Sequence, residues 1–187
     1  MEVSVNDQPG RRRTAAADEQ ALSFVTAFLA TSVRQRSGDP EHDRLADLDA
    51  ARRWVDTAVG ERASVSLAED DLAPLRAFRE ELRTSLSAAG DPATGASVVT
   101  AVDLHWRPGD GLGFRPAADG WRAIAALVTM DMLLAQAAGR LRRLKTCAYD
   151  PCGYPFVDHS PNLTRNWHDT SRCGNVVNLR ASRARRK

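Results

Sequence analysis

Cys147, Cys152 and Cys173 are the only cysteines in the 187-residue chain, and all three fall in one short stretch. Four residues separate Cys147 from Cys152. Four also separate His168 from Cys173, and 15 residues connect the two pairs. Two close pairs of donors joined by a connector are the usual way to build a tetrahedral zinc site, and thiolates with a neutral imidazole suit zinc's borderline-soft character. Cys147, Cys152, His168 and Cys173 would fill the tetrahedron, so the expected cofactor is Zn2+. Its expected role is structural, because a catalytic zinc keeps one position open. His159 and Asp158 lie in the connector as alternative fourth ligands. Asp158 suits equally a turn cap or a carboxylate that orients a ligand histidine. So small a segment has little apolar core, and metal binding would supply much of its folding free energy.

The formal charge of +2 hides an asymmetry. From Arg140 onward there are 11 Lys and Arg against three acids, whereas the preceding residues carry a net −6. A mildly acidic body with a strongly basic tail points to an acidic partner for the tail, either nucleic acid or another anionic surface. Arg180, Arg183, Arg185 and Arg186 follow the last cysteine on what reads as a basic helix, while Arg165 and Arg172 lie inside the cysteine segment. Such side chains neutralise phosphates or, for the inner pair, bond carbonyls of the fold.

The elements that position these residues read as mainly α. Residues 1–17 read as a disordered arm with a basic Arg11–Arg13 run. Apolar residues at helical spacing predict helices over Asp18–Ser37, Asp43–Val59 and from Ser66 to about Gly90. The third opens with Ser66-Leu67-Ala68-Glu69, which fits a capping box. Strict alternation over Val98–Arg107, the turn Pro108–Gly111 and a return over Leu112–Arg115 predict one β-hairpin. A fourth helix, apolar nearly all round at first, is expected over Asp119–Leu144. The expected organisation is a helical body over 18–143 and a small zinc-binding module over 144–187.

No apolar run reaches the roughly 18 residues of a spanning helix, and no secretory signal is evident at the N-terminus, so a cytoplasmic protein without a membrane partner is expected. The chain lacks a Gly-rich phosphate loop, a nucleophile elbow and an H-E-x-x-H motif, and no catalysis is expected. Asp131, on an otherwise apolar helix, and the nearby His105, Trp106 and Trp121 are candidates to line a pocket for a small effector.

The cysteine segment resembles the CGNR zinc finger family. The naming tetrapeptide is Cys173-Gly174-Asn175-Val176 here, and Phe156, Asp158, Ser160, Asn162, Arg165 and Trp167 match the pattern upstream. Two departures stand out: His168 occupies the place of the family's third cysteine, and Val176 that of its arginine. Family members carry this finger after a helical ABATE domain, which the body resembles in length, helix order and late hairpin. The resemblance implies a bacterial, stress-related transcription regulator, with a finger that binds double-stranded DNA and a body that senses a small-molecule effector or forms a homodimer. A protein-interaction module that has lost DNA binding is the rival reading.

Overall fold

The computed structural model describes residues 22–33, 42–86, 98–149 and 152–185. The expected N-terminal arm, the expected helix ends at Ser37 and near Gly90, and Arg186 lie outside them. Helical residues 22–29 (α1) bury Leu22, Phe24, Val25, Phe28 and Leu29. The expected helix to Ser37 ends at residue 29 instead. The Thr31 N–H and hydroxyl both donate to the Phe28 carbonyl, closing a tight turn. Ser32–Val33 (β1) then pairs antiparallel with His42–Asp43 (β2).

A buried arginine explains the change. Arg79 is 3% exposed and reaches from the third helix to donate twice to the Asp43 carboxylate at 2.7 Å and once to Thr31 Oγ1 at 3.0 Å. Arg83 donates to the Leu29 and Ser32 carbonyls. Both guanidiniums satisfy the helix end and the adjoining strand, which would otherwise leave polar groups unpaired. Asp43 is thereby taken from the second helix, which spans Leu48–Ala58 (α2), with the Asp47 side chain as cap accepting from Ala50 N at 2.8 Å.

The third helix spans Leu72–Ser85 (α3) after a 3₁₀ turn over Glu69–Asp71. The expected capping box at Ser66 and Glu69 is not formed. Asp71 takes that role, accepting from Ala68 N and also from Trp121 N, so one carboxylate holds the start of α3 beside the start of the next helix. The hairpin is shorter on its first strand than expected: Val102–Arg107 (β3) pairs with Gly111–Pro116 (β4), Trp106 opposite Leu112 and Leu104 opposite Phe114.

The fourth helix, Trp121–Ala137 (α4), buries Ala123–Val128 without a break, as its all-round apolar start predicts. It stops well before Leu144. Gly139, at φ +67°, supplies the left-handed residue, with Gly139 N donating to Gln136 O and Arg140 N to Ala135 O. That Schellman closure ends the helix on a glycine. Leu144–Thr146 (β5) then pairs with Pro155–Val157 (β6), and a five-residue wide turn over Thr170–Gly174 leads into Asn175–Ala184 (α5).

The fold is thus mainly α. Besides the expected hairpin, two further short ladders, β1–β2 and β5–β6, appear. Helices α1 to α4 share one core, with Phe28 stacked on Phe78 and tilted against Trp54. Leu144, 3% exposed, belongs to that core, and Val157 packs against it, so the β5–β6 ladder is seated on the helices. No helix among the described residues is long and apolar enough to cross a membrane.

Candidate metal centre

Cys147 directly follows β5, and Cys152 lies shortly before β6. Cys147 N donates to Tyr154 O, while Cys152 N and Gly153 N both donate to Tyr149 O. Gly153 has φ +55°, the left-handed conformation that lets the loop fold back on itself. The second pair is built at a helix start. Asp169 accepts from Arg172 N and from the Ser171 hydroxyl, and Cys173 N donates to Asp169 O, which fixes the turn that holds Cys173.

The connector brings the pairs together. Sγ of Cys147, Cys152 and Cys173 and a ring nitrogen of His168 all lie within 4.8 Å of one another. The nitrogen is Nδ1, at 3.4 Å from Cys152 Sγ and 3.7 Å from Cys173 Sγ. Zinc–sulfur and zinc–nitrogen bonds of ordinary length give a tetrahedron with edges of roughly 3.5–3.8 Å, which the two nitrogen–sulfur separations match. Tyr154 lies against the His168 ring, centroids 4.7 Å apart, and steadies its orientation.

The charges make the same case. Burial, reinforced by the neighbouring sulfurs, pushes the Cys173 thiol up to about 12, and burial likewise raises Cys152. Three thiolates cannot share this space without a cation; a divalent ion at the centre reverses the balance and deprotonates them. Burial lowers His168, as do the Arg165 and Arg172 charges, against an opposing pull from Asp169. The imidazole is therefore neutral at neutral pH, with a lone pair available for metal.

The connector is organised around one buried carboxylate. Asp158 is fully buried and accepts from Lys145 Nζ at 2.7 Å, Ser160 Oγ at 2.6 Å, Ser160 N at 2.9 Å and Arg165 N at 3.0 Å. Burial alone would raise this carboxyl, but the Lys145 ammonium and the Ser160 donors outweigh it and hold it well below the usual carboxylate range. Lys145 also donates to the Leu163 and Arg165 carbonyls. Arg165 lies over the Phe156 ring, 5.3 Å from its centroid, and donates to the carbonyls of Trp167 and His168. Trp167 packs on Gly174, where a Cβ would come within 3.0 Å of the indole.

Residues 143–186 match the CGNR zinc finger family. The match covers the β5–β6 ladder, the connector and α5, and no curated protein matches the chain. The CGNR pattern has a physical reading in this fold. Phe156 is the platform for Arg165, Asp158 and Ser160 close the connector turn, and Gly174 is the residue that Trp167 leaves room for. The region is a zinc-finger-like module whose four ligand atoms suit one metal ion.

The sequence-predicted residues divide as follows. Cys147, Cys152, His168 and Cys173 converge; His159 is exposed and outside the cluster, and Asp158 supports the turn. Arg165 is committed to carbonyls within the fold. Arg172 is exposed and pairs with Asp169 at 3.4 Å; Arg180, Arg183 and Arg185 are exposed on or just after α5, with Arg180 also 5.6 Å from the Tyr149 ring centroid. His105 packs over Gly113, Trp106 is 66% exposed, and Trp121 begins α4. Asp131 is buried and pairs with Arg62 at 2.7 Å. These four line neither of two cavities found among the described residues. Sequence reasoning missed Lys145, the counter-ion of Asp158, and Tyr154, the ring beside His168. The segments 144–146 and 155–157 are too short, and Pro155-Phe156-Val157 too uniformly apolar, to give a period-two signal of the ladder that presents them.

Proposed function

We propose that the chain is a DNA-binding transcription regulator whose C-terminal module is folded by one Zn2+ held by Cys147, Cys152, His168 and Cys173. The observation that carries this is the convergence of those four ligand atoms directly before a helix with exposed arginines. Zinc fixes the start of α5, and Arg172, Arg180, Arg183 and Arg185 supply phosphate-facing charge. Arg186 extends the same basic run. Arg165 belongs to the scaffold, not to the DNA face. The helical body, of ABATE type in this reading, serves regulation, through a small-molecule effector or homodimerisation. The protein acts in the cytoplasm of a bacterium, without a membrane partner and without catalysis of its own.

Fluorescence anisotropy with duplex DNA tests the reading. Three or four neutralised phosphates correspond to roughly a 40- to 150-fold loss of affinity between 50 and 200 mM salt. Chelation of zinc is expected to abolish binding. Absence of binding at low salt by protein shown to contain zinc overturns the DNA reading. Two features favour the rival, a protein-binding module: Val176 replaces the family's arginine, and Leu179 on the same helix is 52% exposed.

A further inference from the structure

Between the C-terminal ends of α3 and α4 and strand β5 lies a cavity of about 700 Å³. Its size is that of a small-ligand site. Leu86, Leu141 and Leu144 give it an apolar side. Its charged lining consists of Arg142, Lys145 and Arg165, with no acid among the residues that line it.

The state of those three cations decides what the cavity can take. The Lys145 ammonium is fully engaged by the Asp158 carboxylate and by the Leu163 and Arg165 carbonyls. The Arg165 guanidinium bonds only carbonyl oxygens, which anchor it without cancelling its charge. Arg142 is exposed and makes no side-chain hydrogen bond or ion pair among the described residues. Arg142 and Arg165 thus line the cavity together with its leucines, and Gln136 and Asn166 line it too.

We propose that this cavity binds a small organic anion, a carboxylate or phosphate ester with an apolar body that lies on Leu86, Leu141 and Leu144. Arg142 is its principal anion-binding group, and the Arg165 charge its support. The cavity also touches the metal module: Ala148 N donates to Asn166 O at 2.8 Å, and both residues line it. That bond ties the residue after Cys147 to the segment that leads to His168. An occupant therefore bears on the backbone that sets two metal ligands. The inference does not depend on DNA binding and is tested without DNA.

The test is isothermal titration of the zinc-loaded full chain with phenyl phosphate, inorganic phosphate and benzyl alcohol at physiological salt. Saturable binding of phenyl phosphate at one site per chain is expected, with at least about tenfold weaker binding of inorganic phosphate and none of benzyl alcohol. Arg142→Gln is expected to weaken phenyl phosphate about tenfold or more, since a charge-assisted hydrogen bond is lost. Asn166→Asp, which places an acid in the cavity, is a second variant expected to weaken it at least as much. Arg107→Gln, an exposed cation on the hairpin, is expected to leave binding unchanged. The proposal is overturned by the absence of saturable binding of phenyl phosphate. It is equally overturned if inorganic phosphate binds as tightly, or if Arg107→Gln matches the loss in Arg142→Gln, because either marks adventitious attraction to surface charge.

Discussion

Asp158→Asn preserves the side-chain volume, removes the charge opposite Lys145 and turns an acceptor into a donor. The carboxylate accepts four hydrogen bonds in a fully buried site. An amide can accept through one oxygen only, so at least one of the four donors loses its partner, and the amide hydrogens face donors. Removing one member of a buried ion pair costs about 3–5 kcal/mol. The Lys145 side chain is 25% exposed and regains some hydration, which lowers the expected cost to about 2–4 kcal/mol. If folding of the module is coupled to metal binding, that cost appears as zinc affinity weakened by roughly 30- to 1000-fold. Competition with a chromophoric chelator measures it directly. A double-mutant cycle with Lys145→Met isolates the ion pair; the two changes are expected to be strongly non-additive. A zinc affinity within threefold of the parent in Asp158→Asn refutes the idea that this carboxylate holds the connector in place.

His168→Cys is expected to retain one metal per chain, because a fourth thiolate completes the same tetrahedron, and the cobalt(II) spectrum should shift accordingly; His168→Ala is expected to weaken metal binding by about tenfold or more. Gly174→Ala forces a methyl group within 3.0 Å of Trp167 and 3.2 Å of Thr170, and a net loss of about 1–2 kcal/mol is expected in zinc-coupled folding, measurable in the same chelator assay. The body should show two opposing acid responses in urea titrations at several pH values. Burial would raise Asp43, but the Arg79 hydrogen bonds and charge win and lower it; its stabilising contribution is complete above its ordinary value of 3.8 and lost as pH falls below it, a loss that Asp43→Asn should remove. Burial raises Asp131 more than Arg62 lowers it, and one of its oxygens has no partner among the described residues; stability from this group falls as pH rises from 3.8 through the raised value, so Asp131→Asn is expected to be neutral or stabilising by up to about 1 kcal/mol above that interval.

The helices were legible where apolar spacing is long and regular: α2, α3 and α4 all lie within the ranges their stripes predict. Their ends were not, because the groups that stop them come from elsewhere in the chain. Arg79 reads as a polar break in an apolar stripe, and nothing local shows that it is buried to bind Asp43, 36 residues away. Asp71 likewise displaces the expected Ser66 box because it also serves Trp121, on another helix. Gly139 is a readable stop signal, obscured because Leu141 and Leu144 beyond it continue a helical spacing. The ligand spacing was legible because metal knuckles are local. Which nitrogen of His168 faces the sulfurs, and which cation neutralises Asp158, depend on how the connector folds back, and no spacing encodes that.

Helix α5 buries none of its residues. Two of its ties among the described residues are the turn that holds Cys173 and the stacking of Arg180 on Tyr149, a residue between Cys147 and Cys152. Both ties pass through the metal knuckles. With the ion in place, the arginines form an array of set direction, and a partner that meets one meets the others at no further orientational cost. Without it they become beads on a tether, each contact governed by the local concentration that the tether allows. Metal occupancy would then control how many arginines act together, even where the charge of the tail is unchanged.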